Sequence, residues 1–300
     1  MKQRVLSVFC ALCLAASLVS TAFAATYSVT LTAAEAGGDI PTLLTIPAQT
    51  PADVGETPNR IVISAPVKGA AVEIAVTGSA EDADVLFLNS NGTYDVAEDT
   101  VMSGSSVCTM LPETSATVIL LKKMPFTDVS RTAWYYNSVA YAYHNELMGG
   151  TSGTKFSPDG TANRAQLVTI LWRMSGKPGH GNGISFSDVS SGQYYTDAVL
   201  WAAENGIVTG SGGKFNPNGT LSREQLAAIL YRYAQYIGRG TAGRADLSSY
   251  SDAGSVSSWA KDAMAWTVNE GLISGSGGKL SPAGSASRAQ MATILMRFSA

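Results

Sequence analysis

One short phrase recurs three times in the second half of this chain, and it constrains the fold more than any other feature. Residues 163–171 read NRAQLVTIL, residues 222–230 SREQLAAIL and residues 287–295 SRAQMATIL. Each copy follows a second recurring motif: FTDV ends at Val129, FSDV at Val189 and YSDA at Ala253. Arg164 lies 36 residues after Asp128, Arg223 lies 35 after Asp188, and Arg288 lies 36 after Asp252. A near-constant offset in three copies marks one supersecondary unit used three times.

Each unit reads as helix, loop, helix. The first helix is expected to begin near Trp134, Tyr194 or Trp259. Tyr141, Trp201 and Trp266 follow seven residues later. Seven residues are two helical turns, so the spacing predicts both rings on one face. Glycine-rich loops come next, MGGTSGTKF, VTGSGGKF and ISGSGGKL, then Pro158-x-Gly160, Pro217-x-Gly219 or Pro282-x-Gly284 as a turn. Asn163, Ser222 and Ser287 stand three residues before Gln166, Gln225 and Gln290, which is a capping-box pattern. Apolar stripes follow at helical spacing, as in Leu167, Ile170 and Leu171. Short helical units cannot each hide such stripes alone. Packed around a common axis, they can.

The capping box puts Arg164, Arg223 and Arg288 at the first helical position, where the helix dipole disfavours a cation by roughly 0.3–1 kcal/mol. Arg173, Arg232 and Arg297, near the far ends, sit where the dipole favours them. Two readings offset the first set. Asp128, Asp188 and Asp252 pair with those arginines, or an anionic ligand sits there, held by the helix N-terminus and by two parallel guanidinium bonds. The two readings are compatible.

The rest of the chain is of a different texture. Residues 1–24 read as a secretory signal peptide: Lys2 and Arg4, an apolar run from Val5 to Val19, and Ala22-Phe23-Ala24 as a cleavage motif. Without them the chain carries 18 basic and 23 acidic residues, a net charge of −5 with no basic run, which argues against nucleic-acid binding. No other apolar run is long enough for a transmembrane segment. Cys108 is the one cysteine outside the leader, so no internal disulfide is expected, as in a bacterial surface protein. Residues 25–59, rich in Thr, Ala and Pro, read as a linker with one strand. Residues 60–123 read as a small β-sandwich or rolled sheet. Strands are expected at 60–65, 71–77, 84–88, 100–103 and 116–121, with an Asn91-Gly92 turn.

The ordered set of motifs, from F-x-D-V through GIVTG (residues 206–210) and the Lys-aromatic-x-Pro turn to the T-R-A-E position, resembles the S-layer homology (SLH) domain. The resemblance covers residues 125–300. It implies a multidomain protein, a small β-sandwich-like domain followed by an α-helical pseudo-threefold module, with repeats at 124–178, 184–238 and 249–300. It also implies a cell-surface protein of the S-layer type, anchored to the wall through a secondary cell wall polysaccharide attached to peptidoglycan. That polymer is anionic and often pyruvylated. The family's motif arginine, thought to contact the glycan, falls on Arg164, Arg223 and Arg288.

The candidate glycan-binding set is these arginines with Asp128, Asp188, Asp252, Lys214, Lys279, Trp201 and Trp266. The lysines read equally as solvated loop residues, and the tryptophans as buried packing. Here T-R-A-E becomes NRAQ, SREQ and SRAQ, which keeps the cap and removes the glutamate charge. Repeat 1 has ELMGG where the others have GIVTG and GLISG, so it is expected to bind more weakly. No paired carboxylates, nucleophile–base set or metal cluster stands out, and no cofactor is expected. Two alternatives stay open: a surface-layer component that binds no glycan and self-assembles, and a small enzyme or adhesin domain carried on the anchor.

Overall fold

A computed structural model describes residues 26–30, 44–46, 59–64, 68–75 and 79–299. The leader sequence lies outside them, as does most of the proposed linker. The chain divides into two compact units, Met1–Pro125 and Phe126–Ala300.

Among the described residues the first unit holds nine strands: β1 (Thr26–Thr30), β2 (Leu44–Ile46), β3 (Asn59–Ser64), β4 (Ala71–Ala75), β5 (Ala83–Leu88), β6 (Tyr94–Val96), β7 (Thr100–Ser103), β8 (Ser106–Met110) and β9 (Ser115–Lys122). They form a five-stranded sheet, β1-β3-β9-β5-β6, and a four-stranded sheet, β2-β4-β8-β7. Most pairings are antiparallel. The exceptions are β1 on β3 and β2 on β4, which are parallel. Thus the stretch read as linker contributes two strands, one to the edge of each sheet. Ile61, Ile63, Val85, Phe87, Val118 and Leu120 of the larger sheet share one core with Val72, Ile74 and Val107 of the smaller. Alternation explains it: every second residue of each strand points the same way. The Asn91-Gly92 turn joins β5 to β6, with Gly92 at φ +84°. The two strands with no sequence expectation in the 60–123 stretch are β6 and β8.

Among the described residues the second unit holds six α-helices: α1 (Tyr136–His144), α2 (Arg164–Met174), α3 (Thr196–Glu204), α4 (Arg223–Tyr236), α5 (Lys261–Asn269) and α6 (Arg288–Ser299). The second helix of each repeat packs on the first helix of the next: α2 on α3, α4 on α5, and α6 back on α1. The chain therefore closes on itself. Three backbone hydrogen bonds close it again at the turn before each second helix. Ala162 N–H donates to the Ala286 carbonyl (2.9 Å), Ala286 to Leu221 (3.0 Å) and Leu221 to Ala162 (3.0 Å). Each stripe of apolar side chains, such as Leu226, Ile229, Leu230 and Tyr233 of α4, is buried by this closure.

One expectation fails. Trp134, Tyr194 and Trp259 do not share a face with the rings seven residues on. The α-helix begins two residues after each, with Trp259 in a 3-10 turn that leads into it, so α-helical spacing does not apply. Trp134, Tyr194 and Trp259 are 67%, 58% and 54% exposed, while Tyr141, Trp201 and Trp266 are buried.

Candidate functional site

Each glycine-rich loop is built by its own motif and by the next helix start. Asp128 accepts from the N–H groups of Phe156 (2.9 Å) and Ser157 (2.9 Å). Asp188 accepts from Phe215 and Asn216, and Asp252 from Leu280 and Ser281, all at 2.8 Å. Burial works to raise the Asp128 and Asp188 pKa values, but these N–H groups and the nearby Lys155 and Lys214 outweigh it. For Asp252 the Leu280 N–H is the leading cause. All three carboxyls are held below their ordinary range. Ser157, Asn216 and Ser281 adopt positive φ (57°, 59° and 52°) at this point of each loop. Gly150, Gly210 and Gly275 are required for a different reason: a Cβ would collide with the loop backbone and with the ring of Phe126, Phe186 or Tyr250. The aromatic of the F-x-D motif and the last glycine of the GIVTG stretch are therefore two halves of one contact.

The arginine puzzle has a structural answer, and it is not the ion pair. No ion pair joins Arg164, Arg223 or Arg288 to the three aspartates among the described residues; the carboxylates act on them only through their field. Each arginine reaches into the loop of another repeat. Arg164 donates from Nε to the Phe215 carbonyl (3.0 Å) and from Nη2 to Thr209 (3.2 Å). Arg223 donates to Leu280 (2.7 Å) and Ser274 (2.9 Å), and Arg288 to Phe156 (2.8 Å) and Gly149 (2.7 Å). The Arg164 and Arg288 guanidiniums also lie over the Phe215 and Phe156 rings, at 4.7 and 4.6 Å.

The helix starts are equally occupied. The N–H groups of Arg164 and Ala165 donate to the carbonyls of Gly219 and Pro217. Those of Arg223 and Glu224 donate to Gly284 and Pro282, and those of Arg288 and Ala289 to Gly160 and Pro158. The third N–H is taken by the capping box, at 2.8–3.2 Å in the three copies. Carbonyl oxygens thus surround each helix start and offset both the dipole and the cation. No helix N–H group is left for an anion.

Three grooves open beside these loops, with volumes of about 330, 290 and 350 Å³. Each draws on all three repeats. One combines Arg223, the exposed Trp134 and the outer face of α6 with Arg297 and Lys279. A second combines Arg164, Trp259 and α4 with Arg232. The third combines Arg288, Tyr194 and α2 with Arg173. No carboxylate is among the residues lining any of them. Two guanidiniums facing one small groove repel: burial first, and then Arg232, push the Arg164 pKa down, with Asp188 acting the other way.

The sequence candidates are distributed as follows. Arg164, Arg223, Arg288 and Lys279 line grooves. Asp128, Asp188 and Asp252 lie behind the loops as supports, and Lys214 is not among the groove-lining residues. Trp201 and Trp266 are 1% and 0% exposed, packed edge-on to Tyr236 and Tyr231, so no sugar ring reaches them. The accessible rings are Trp134, Tyr194 and Trp259, and the second cations are Arg173, Arg232 and Arg297. Sequence reasoning passed over the arginines, because a helix-end arginine already satisfies the dipole, and it put the three aromatics on the helix face of the rings seven residues on.

The S-layer homology domain matches residues 125–168, 185–227 and 249–292. The surface-layer 125 kDa protein of Lysinibacillus sphaericus is 34% identical over 43% of this chain and 11% of its own length. The S-layer protein sap of Bacillus anthracis is 24% identical over 66% of this chain and 24% of its own. An endoglucanase of Bacillus sp. (strain KSM-635) is 32% identical over 57% and 18%. The chain therefore spans less than a quarter of the length of these relatives. Glucanase and xylanase relatives match over the repeat region alone and carry no argument for enzymatic activity here. Among the described residues no helix is long and apolar enough to cross a membrane. With three matched domains between residues 125 and 292, the chain belongs to the S-layer homology domain family, as a cell-surface protein anchored to the cell wall.

Proposed function

We propose that this is a non-catalytic wall anchor whose inter-repeat grooves bind an anionic, pyruvylated secondary cell wall polysaccharide, with the β unit as a sandwich-like cargo or spacer. The observation that carries the reading is the composition of the grooves: two arginines and an exposed aromatic ring each, and no carboxylate to neutralise them. A guanidinium held beside an aromatic face suits an acidic sugar, which presents a carboxylate and an apolar ring face together. Asp128, Asp188 and Asp252 position the loop, and the helix-start arginines clamp it while presenting one edge to the groove.

Nothing among the described residues of the β unit argues for catalysis. Burial raises the Cys108 pKa, and Glu73 raises it further, against a smaller opposing bond to Ser106, so the thiol is no ready nucleophile. No cluster of three metal-ligating side chains occurs among the described residues.

The test is co-sedimentation of the full chain with purified cell walls, intact and stripped of polysaccharide. Binding to intact walls alone supports the reading. Equal binding to stripped walls assigns the anchor to peptidoglycan, and no binding to either leaves the repeats as a structural layer component.

A further inference from the structure

The three grooves share a plan, yet their donors are spent differently. In the groove of Tyr194, Arg173 is turned back into its own repeat: its Nη1 donates to the carbonyls of Glu146 (3.2 Å) and Leu147 (2.8 Å). Its partner Arg288 is 6% exposed and holds Phe156 and Gly149. In the groove of Trp259, Arg232 makes no hydrogen bond among the described residues. In the groove of Trp134, Arg297 makes one long bond, to Gly271 at 3.3 Å, and Lys279 adds a third cation.

The ring changes together with the donors. Two grooves carry a tryptophan, Trp259 in one and Trp134 in the other. The third carries Tyr194. That groove therefore has a phenol hydroxyl at its rim where the others have only an indole face. A carboxylate is held most strongly by free, charged donors, whereas a sugar hydroxyl or acetamido oxygen is matched by a neutral hydroxyl that both donates and accepts.

We propose that the grooves divide the polymer between them: those of Arg232 and of Arg297 with Lys279 take an acidic sugar unit, and the groove of Tyr194 takes a neutral pyranose through the Tyr194 hydroxyl. The proposal rests on the glycan-binding reading above.

The test uses amide NMR spectra of the full chain titrated with two probes that differ only in a carboxylate, methyl β-glucuronide and methyl β-glucoside. Gly149 and Gly150 report on the Tyr194 groove, Thr209 on the Trp259 groove, and Ser274 and Gly275 on the Trp134 groove. The expected result is that glucuronide shifts Thr209, Ser274 and Gly275 at lower concentration than Gly149 and Gly150, while glucoside shifts Gly149 and Gly150 first. Tyr194→Phe, which keeps the ring and the fold, is expected to weaken the glucoside response there about fivefold, the worth of one neutral hydrogen bond. It leaves the glucuronide response of Thr209 unchanged. Equal shifts of all three sets by glucuronide, or an unaltered glucoside response in Tyr194→Phe, overturn the division and leave the glycan-binding reading standing. Silence of every groove toward both probes overturns both.

Discussion

The arginine at each helix start is the residue on which this fold and this site turn. It is a structural clamp first: Arg288 is buried, donates to two carbonyls of another repeat and covers Phe156. Removing it strands both carbonyls, so Arg288→Ala is expected to destabilise the helical unit by about 2–4 kcal/mol in chemical denaturation. A variant as stable as the parent contradicts the clamp. Its presence was legible in the sequence as an anomaly, a cation set three times against the dipole. Its solution was not, because the oxygens that offset it come from another repeat. The aspartates belong to the same loop. Folding depresses their pKa values, so they stabilise above their unfolded pKa of about 4, and that contribution is lost as pH falls through the lower folded values. Melting temperature is expected to be flat above pH 5 and to fall below pH 4. Asp188→Asn is expected to lower it at pH 7 and to flatten the acid side of the curve. An unchanged acid limb in that variant removes Asp188 from the account.

At the scale of the element, capping was the most legible feature. The boxes at Asn163/Gln166 and Ser222/Gln225 are formed from both sides, as the S-x-x-Q spacing predicts. Ser222→Ala is expected to cost roughly 1 kcal/mol, a typical cap loss, measured by urea unfolding. A cost near zero would mean that the Gly284 and Pro282 carbonyls alone hold this helix start. The first helices were read less well. Their entry aromatics sit outside the helix, and only the geometry of the closing repeats turns Trp134, Tyr194 and Trp259 into groove walls. In the β unit, β3, β4 and β5 were visible as apolar runs, and β7 and β9 as further strand candidates. The edge strands β1 and β2 lie in Thr- and Pro-rich sequence, where pairing with a neighbour rather than local pattern makes the strand.

At the scale of the molecule, three repeats form a closed ring, by helix packing and by the cycle of bonds among Ala162, Ala286 and Leu221. Such a ring tolerates no missing member. Residues 126–246, which keep two repeats, are expected to show no cooperative melt, whereas residues 126–300 melt cooperatively; a two-repeat piece with the same transition contradicts closure as the source of stability. The ring is also what makes the grooves, since each draws its arginine, its aromatic and its helix from different repeats. The second arginines now separate binding from folding, because Arg232 has no hydrogen bond to lose and Arg297 only one long one. The decisive measurement is wall binding by the full chain carrying Arg232→Gln and Arg297→Gln, alongside its thermal melt. The account predicts an unaltered melt and binding weaker by at least about tenfold, the loss of one charge-assisted bond or more, with a shallower salt dependence. A doubly substituted protein that melts as before and binds walls as tightly as the parent would contradict the assignment of these grooves as the anchor.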